Sequence, residues 1–68
     1  MPTYYVSLNE ETNGDHWVHR AGCTFVPAEN QRFALGEFNT CTAAVRKAKD
    51  YYARANGCYY CSRECHGV

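Results

Sequence analysis

Asn39-Thr40-Cys41-Thr42-Ala43-Ala44-Val45-Arg46-Lys47-Ala48-Lys49-Asp50-Tyr51-Tyr52 is the one stretch of this chain with a clear helical period. Apolar or small residues recur at Cys41, Ala44, Val45, Ala48, Tyr51 and Tyr52, which places them on one face of a helix. Arg46, Lys47, Lys49 and Asp50 fall largely on the opposite face, where charge meets water. Asn39 or Thr40 serves as N-cap, because a short polar side chain accepts a bond from an unpaired first-turn amide. Asn56-Gly57 is the expected stop, with Gly57 free to take a positive φ.

Before the helix the pattern changes to strands. Tyr4 to Leu8 alternates, with Tyr4, Val6 and Leu8 on one side and Tyr5 and Ser7 on the other. A polar turn over residues 9–15 contains Asn13-Gly14, and His16 to Arg20 reads as the returning strand of a hairpin. Residues 24–31 form a loop around Pro27, and Arg32 to Phe38 makes a third strand with Gly36 as a bend or bulge. The fold class expected is α+β: a small three-stranded antiparallel sheet packed on one helix, followed by a Cys-rich zinc-knuckle tail. Trp17, Phe33, Phe38 and Tyr52 are expected in its core.

The chain has 68 residues, which points to a single domain over 1–68. A body of that size buries a small fraction of its surface, so small domains often add a disulfide, a metal or a partner subunit. Charge is balanced, with seven Lys plus Arg against seven Asp plus Glu. That argues against nucleic-acid binding driven by net charge. No signal-peptide pattern is read at the start and no apolar run is long enough to cross a bilayer. The expectation is therefore a cytoplasmic protein without a membrane partner, a monomer or weak homodimer. Thiols stay reduced in that compartment, so five cysteines suggest metal or redox chemistry, and an odd count fits.

Two close pairs carry the chemistry: His19-x-x-x-Cys23 and Cys58-x-x-Cys61. Structural zinc takes four ligands in a tetrahedron, usually two from each of two short loops. Gly22 and Gly57 each precede a cysteine of these pairs and permit tight backbone there. A metal so held would tie the hairpin to the end of the helix.

His19-x-x-x-Cys23, the loop with Glu29-Asn30, the strand around Phe33, the Ala43-Ala44 helix and Cys58-x-x-Cys61 follow the order of Ada-type zinc-binding domains, which this chain resembles from about Val18 to Cys61. The resemblance implies that His19, Cys23, Cys58 and Cys61 bind zinc. In the Ada repair protein the first of these positions is a cysteine that accepts a methyl group from a DNA phosphotriester. Here it is His19, and an imidazole does not replace an activated thiolate in that transfer. The metal site carries over and the methyl transfer does not.

Cys65-His66 departs from that pattern and supplies alternate ligands, Cys65 in a four-thiolate set with Cys23, Cys58 and Cys61, or His66. Arg20 and Arg63 flank candidate ligands and would offset the negative charge of either set. Cys41, on the apolar helix face, is read as a buried free thiol packing as a small hydrophobe. His16 is read as a half-buried or surface residue and not a ligand, and His66 as solvated near a terminus. Arg46, Lys47, Lys49 and Arg54 read as a solvated face rather than a nucleic-acid patch. Tyr59 and Tyr60 either pack over the metal or face a partner.

No catalytic set is visible, since Asp15 and Glu64 show no arrangement with a nucleophile. The reading is a non-enzymatic zinc-stabilised binding module with an unknown protein or nucleic-acid partner. The alternative is a thiol or redox protein that uses Cys58-x-x-Cys61 without metal. Too few residues follow Cys61 to build the usual surroundings of a redox couple.

Overall fold

The structure, a computed structural model, describes residues 1–66. Four strands form one sheet: β1 (Thr3–Ser7), β2 (His16–Arg20), β3 (Arg32–Glu37) and β4 (Ala55–Gly57). Among the described residues the one α-helix, α1, spans Cys41–Ala48, and short 3-10 turns lie at Glu29–Gln31 and Arg63–Cys65. Strand order is β3-β1-β2-β4. β1 pairs antiparallel with both β2 and β3, whereas β4 runs parallel to β2. The class is α+β, but the sheet is four-stranded and mixed where three antiparallel strands were expected.

The difference arises at the end of the helix. The expected helix ran to Asn56-Gly57, yet α1 ends at Ala48. Tyr51 and Tyr52 both donate their amides to the Ala48 carbonyl, at 2.9 Å, and the chain turns. Residues 55–57 then lie beside β2, where His16 N–H donates to the Arg54 carbonyl at 2.9 Å and Cys58 N–H to the Val18 carbonyl at 2.9 Å. Pairing on an open sheet edge satisfies these groups, so tertiary contact overrides local helix propensity.

Alternation on β1 explains the core. Tyr4 and Val6 point inward and join Val18, Leu35, Cys41, Ala44, Ala48, Ala55 and Cys65, with Phe38, Val45 and Tyr52 packed against them. Small residues on α1 let it lie close, and it touches all four strands. Leu8 falls past the end of β1 and is exposed, while Ser7 is buried with its hydroxyl donating to the Asn9 carbonyl at 3.0 Å. Phe33 is also exposed, against expectation; it makes an edge contact with Tyr51 on the surface. On β3 the register shifts opposite Tyr4 and Tyr5, and Gly36 takes φ of 117° beside that shift, the bulge its glycine suggested.

His16 is more buried than expected. Its Nδ1 lies 2.9 Å from the Ser7 carbonyl, and its ring stacks on Tyr52 at 3.8 Å. Arg54 leaves the helix altogether and pairs with Asp15 at 3.1 Å, tying the β1–β2 turn to the approach to β4.

Candidate metal centre

Two loops meet at one edge of β2. His19 lies on β2 itself and is buried. The chain then turns through Gly22, at φ of 91°, which delivers Cys23 back toward His19. Cys23 N–H closes that turn on the Arg20 carbonyl at 3.1 Å. Cys58 follows directly on β4, held by its amide bond to Val18, so the parallel pairing brings it beside the end of β2. One further turn, closed by Ser62 N–H to the Cys58 carbonyl at 2.9 Å, presents Cys61.

The ligand-type atoms of His19, Cys23, Cys58 and Cys61 all lie within 4.8 Å of one another. Cys23 Sγ and Cys58 Sγ are 4.0 Å apart. A tetrahedral zinc with Zn–S bonds of about 2.3 Å has edges of about 3.8 Å, so the spacing suits one ion. His19 Nδ1 is buried and has no hydrogen-bond partner in the protein. Buried polar atoms are normally satisfied, and a bound cation is one way to satisfy this one. The three sulfurs and one imidazole form the soft, borderline donor set that selects zinc over hard cations.

Electrostatics point the same way. Burial pushes the Cys58 thiol up to about 12. Cys23 is raised by burial and then by neighbouring Cys61. For Cys61 burial works upward, but the Arg20 amide and the neighbouring cysteine and serine groups outweigh it and bring the thiol down. That amide donates to Cys61 Sγ at 3.3 Å, and Tyr60 N–H donates to Cys58 Sγ at 3.4 Å. Burial lowers His19 and favours the neutral imidazole that a metal needs. The backbone thus offers hydrogen bonds for thiolates and eases ionisation of Cys61, while burial resists ionisation of Cys23 and Cys58. A divalent cation at this position would supply positive charge to balance thiolates.

The alternate ligands lie elsewhere. Cys65 is disulfide-bonded to Cys41, so Cys41 is buried but is not a free thiol, and the four-thiolate set is not assembled. His66 is half-buried rather than solvated. Its Nδ1 lies 3.0 Å from the Gly57 carbonyl, and its ring meets Trp17 and Tyr59 edge-on. Gly57 is needed for close approach rather than for a positive φ: a Cβ there would stand 2.6 Å from Cys65 Cβ and 2.7 Å from the Ser62 carbonyl oxygen. The sequence carried one unread signal of the disulfide. Two ligand pairs use three of five cysteines, which leaves Cys41 and Cys65 for each other.

Outside the cluster lies an aromatic surface. Phe25 and Tyr60 are exposed and stack at 4.2 Å, Tyr59 meets Tyr60 edge-on, and the Arg63 guanidinium sits 5.1 Å from the Tyr59 ring centre. Arg20, Thr24, Phe25 and Tyr60 line an open recess together with Cys23 and Cys61. Among the described residues, no helix is long and apolar enough to cross a membrane. No family model, curated protein or solved structure matches the chain.

Proposed function

We propose that the chain is a zinc-stapled binding module and not an enzyme, with His19, Cys23, Cys58 and Cys61 as ligands. The observation that carries this is the convergence of four ligand atoms within 4.8 Å, from two loops far apart in sequence. The same four positions are those the Ada-type likeness implies, and that likeness, with a Cys-rich zinc-knuckle tail, forms part of the proposal. Four protein ligands close the coordination sphere and leave no position for an activated water. The redox alternative is less favoured, because Cys58 is buried with a raised thiol pKa and follows a strand rather than opening a helix.

The exposed Phe25, Tyr59 and Tyr60 supply the surface for a protein or nucleic-acid partner, held rigid by the metal loop beneath. The protein is proposed to act as a monomer or weak homodimer. A cytoplasmic location is also a proposal. The Cys41–Cys65 bridge bears against it, since disulfides persist mainly in oxidising compartments.

Cobalt(II) titration of reduced-cluster protein tests the site. The expected result is an intense tetrahedral visible spectrum with a thiolate charge-transfer band, saturating at one equivalent and lost in Cys58→Ser. Absence of a tetrahedral spectrum would remove the proposal.

A further inference from the structure

The Cys41–Cys65 disulfide borders a cavity that the metal centre does not use. This cavity is about 280 Å³ and is lined by Thr42, Val45, Arg46, Lys49, Glu64 and Cys65. It is slightly below the about 300–1,000 Å³ of small-molecule sites. Cys65 is on its wall, whereas Cys41 is not, and Cys65 Sγ lies 3.6 Å from the hydroxyl of Thr42 on the same wall, so the cavity is nearer to that sulfur of the bridge. Arg46 of α1 and Lys49, the C-cap residue that follows it, line the same space, and neither makes an ion pair among the described residues. Glu64 is the one carboxylate on the lining, and its Oε1 lies 3.5 Å from Cys41 Sγ. The cavity is therefore net positive beside the disulfide, whose Cys65 is itself 5% exposed.

We propose that Cys65 is a site of thiol–disulfide exchange with small anionic thiols of the glutathione class, which the cavity admits and its two cations attract. The thiolate of the incoming molecule attacks Cys65 Sγ and forms a mixed disulfide there. The Cys41–Cys65 bond breaks, and its electron pair leaves on Cys41 Sγ, which takes a proton from water. One disulfide replaces another, so no outside oxidant or reductant is required. Cys41 is the first residue of α1, where the helix dipole favours a leaving thiolate, while the Glu64 carboxylate opposes it; the exchange reverses when Cys41 attacks the mixed disulfide and releases the small thiol. Opening the bridge removes the covalent tie between the 3-10 turn Arg63–Cys65 and α1, and none of the four cluster residues belongs to that bridge.

The test compares glutathione with neutral 2-mercaptoethanol on the full chain, with acid quenching, alkylation and peptide mass mapping. The expected products are a glutathione adduct on Cys65 and an alkylated Cys41. The double variant Arg46→Glu/Lys49→Glu is expected to slow the glutathione reaction on the order of tenfold, since a local field of one sign concentrates the opposite charge. Its rate with 2-mercaptoethanol, whose thiolate carries one negative charge where that of glutathione carries a net two, should fall by only about threefold. Comparing each thiol with itself across variants cancels differences in nucleophilicity. A bridge left intact by glutathione, an adduct on Cys41, or an equal loss of rate with both thiols would overturn the proposal. The mass map reads the bridge whether or not the cluster holds metal.

Discussion

His19 shows what one residue's surroundings decide. Trp17 and His19 sit on the same strand, two residues apart, yet only His19 falls beside Cys23, Cys58 and Cys61. The spacing of the two pairs made these four residues legible in the sequence, because ligand spacing is a local property. The fate of Cys65 was not legible, since its partner Cys41 lies 24 residues away and only the packing of α1 brings the two together. Burial lowers the folded-state value of His19, which sets the sign of its acid response. The neutral imidazole stabilises the fold fully above the ordinary histidine value of about 6.5, and that contribution is lost as pH falls through the lower folded value. Protons compete with a metal for the same nitrogen and sulfurs, in the same direction. Metal release followed with a chromophoric chelator should therefore rise steadily below about pH 6.5. Retention independent of pH down to that lower value would contradict His19 as a ligand.

Among the elements, the start of α1 was legible and its end was not. Thr40 caps it as its side chain demands, accepting from the Ala43 amide at 3.3 Å. The period of small and aromatic residues continues to Tyr52, so local pattern alone extends the helix past Ala48. What stops it is the edge of β2, which recruits residues 55–57 as a parallel strand, a contact set by tertiary structure. β4 is three residues long and carries one alanine, one asparagine and one glycine, with no strand signature of its own. Its value lies in position, since it aims Cys58 at β2 and lets the tail cross over Gly57. A methyl group at Gly57 meets the backbone of Ser62 as well as Cys65, and neither can rotate aside. Gly57→Ala should destabilise the protein by about 1–3 kcal/mol, the usual range for overpacking. Urea denaturation measures this, and an unchanged midpoint would mean the tail does not pack there.

The whole molecule is small, and its tail is tied by the disulfide at Cys65 and, in the proposed reading, by a metal at Cys58 and Cys61. Small size and five cysteines pointed to such a staple, though the pairing of Cys41 with Cys65 was not read from the sequence. Closing a loop across a separation of 24 residues restricts the unfolded chain, so Cys41→Ser/Cys65→Ser should lower stability by about 3 kcal/mol. Thermal melts of that variant should still show metal-dependent folding, because neither residue belongs to the cluster. A variant that lost metal together with the bridge would place Cys65 in the ligand set after all. Structural zinc can contribute about 10–16 kcal/mol, enough to decide folding in a chain of this size. The central claim is tested most directly by elemental analysis of purified protein, with circular dichroism before and after a strong chelator. The account predicts one zinc per chain and loss of the folded spectrum on chelation; protein without metal and with its fold intact would contradict it.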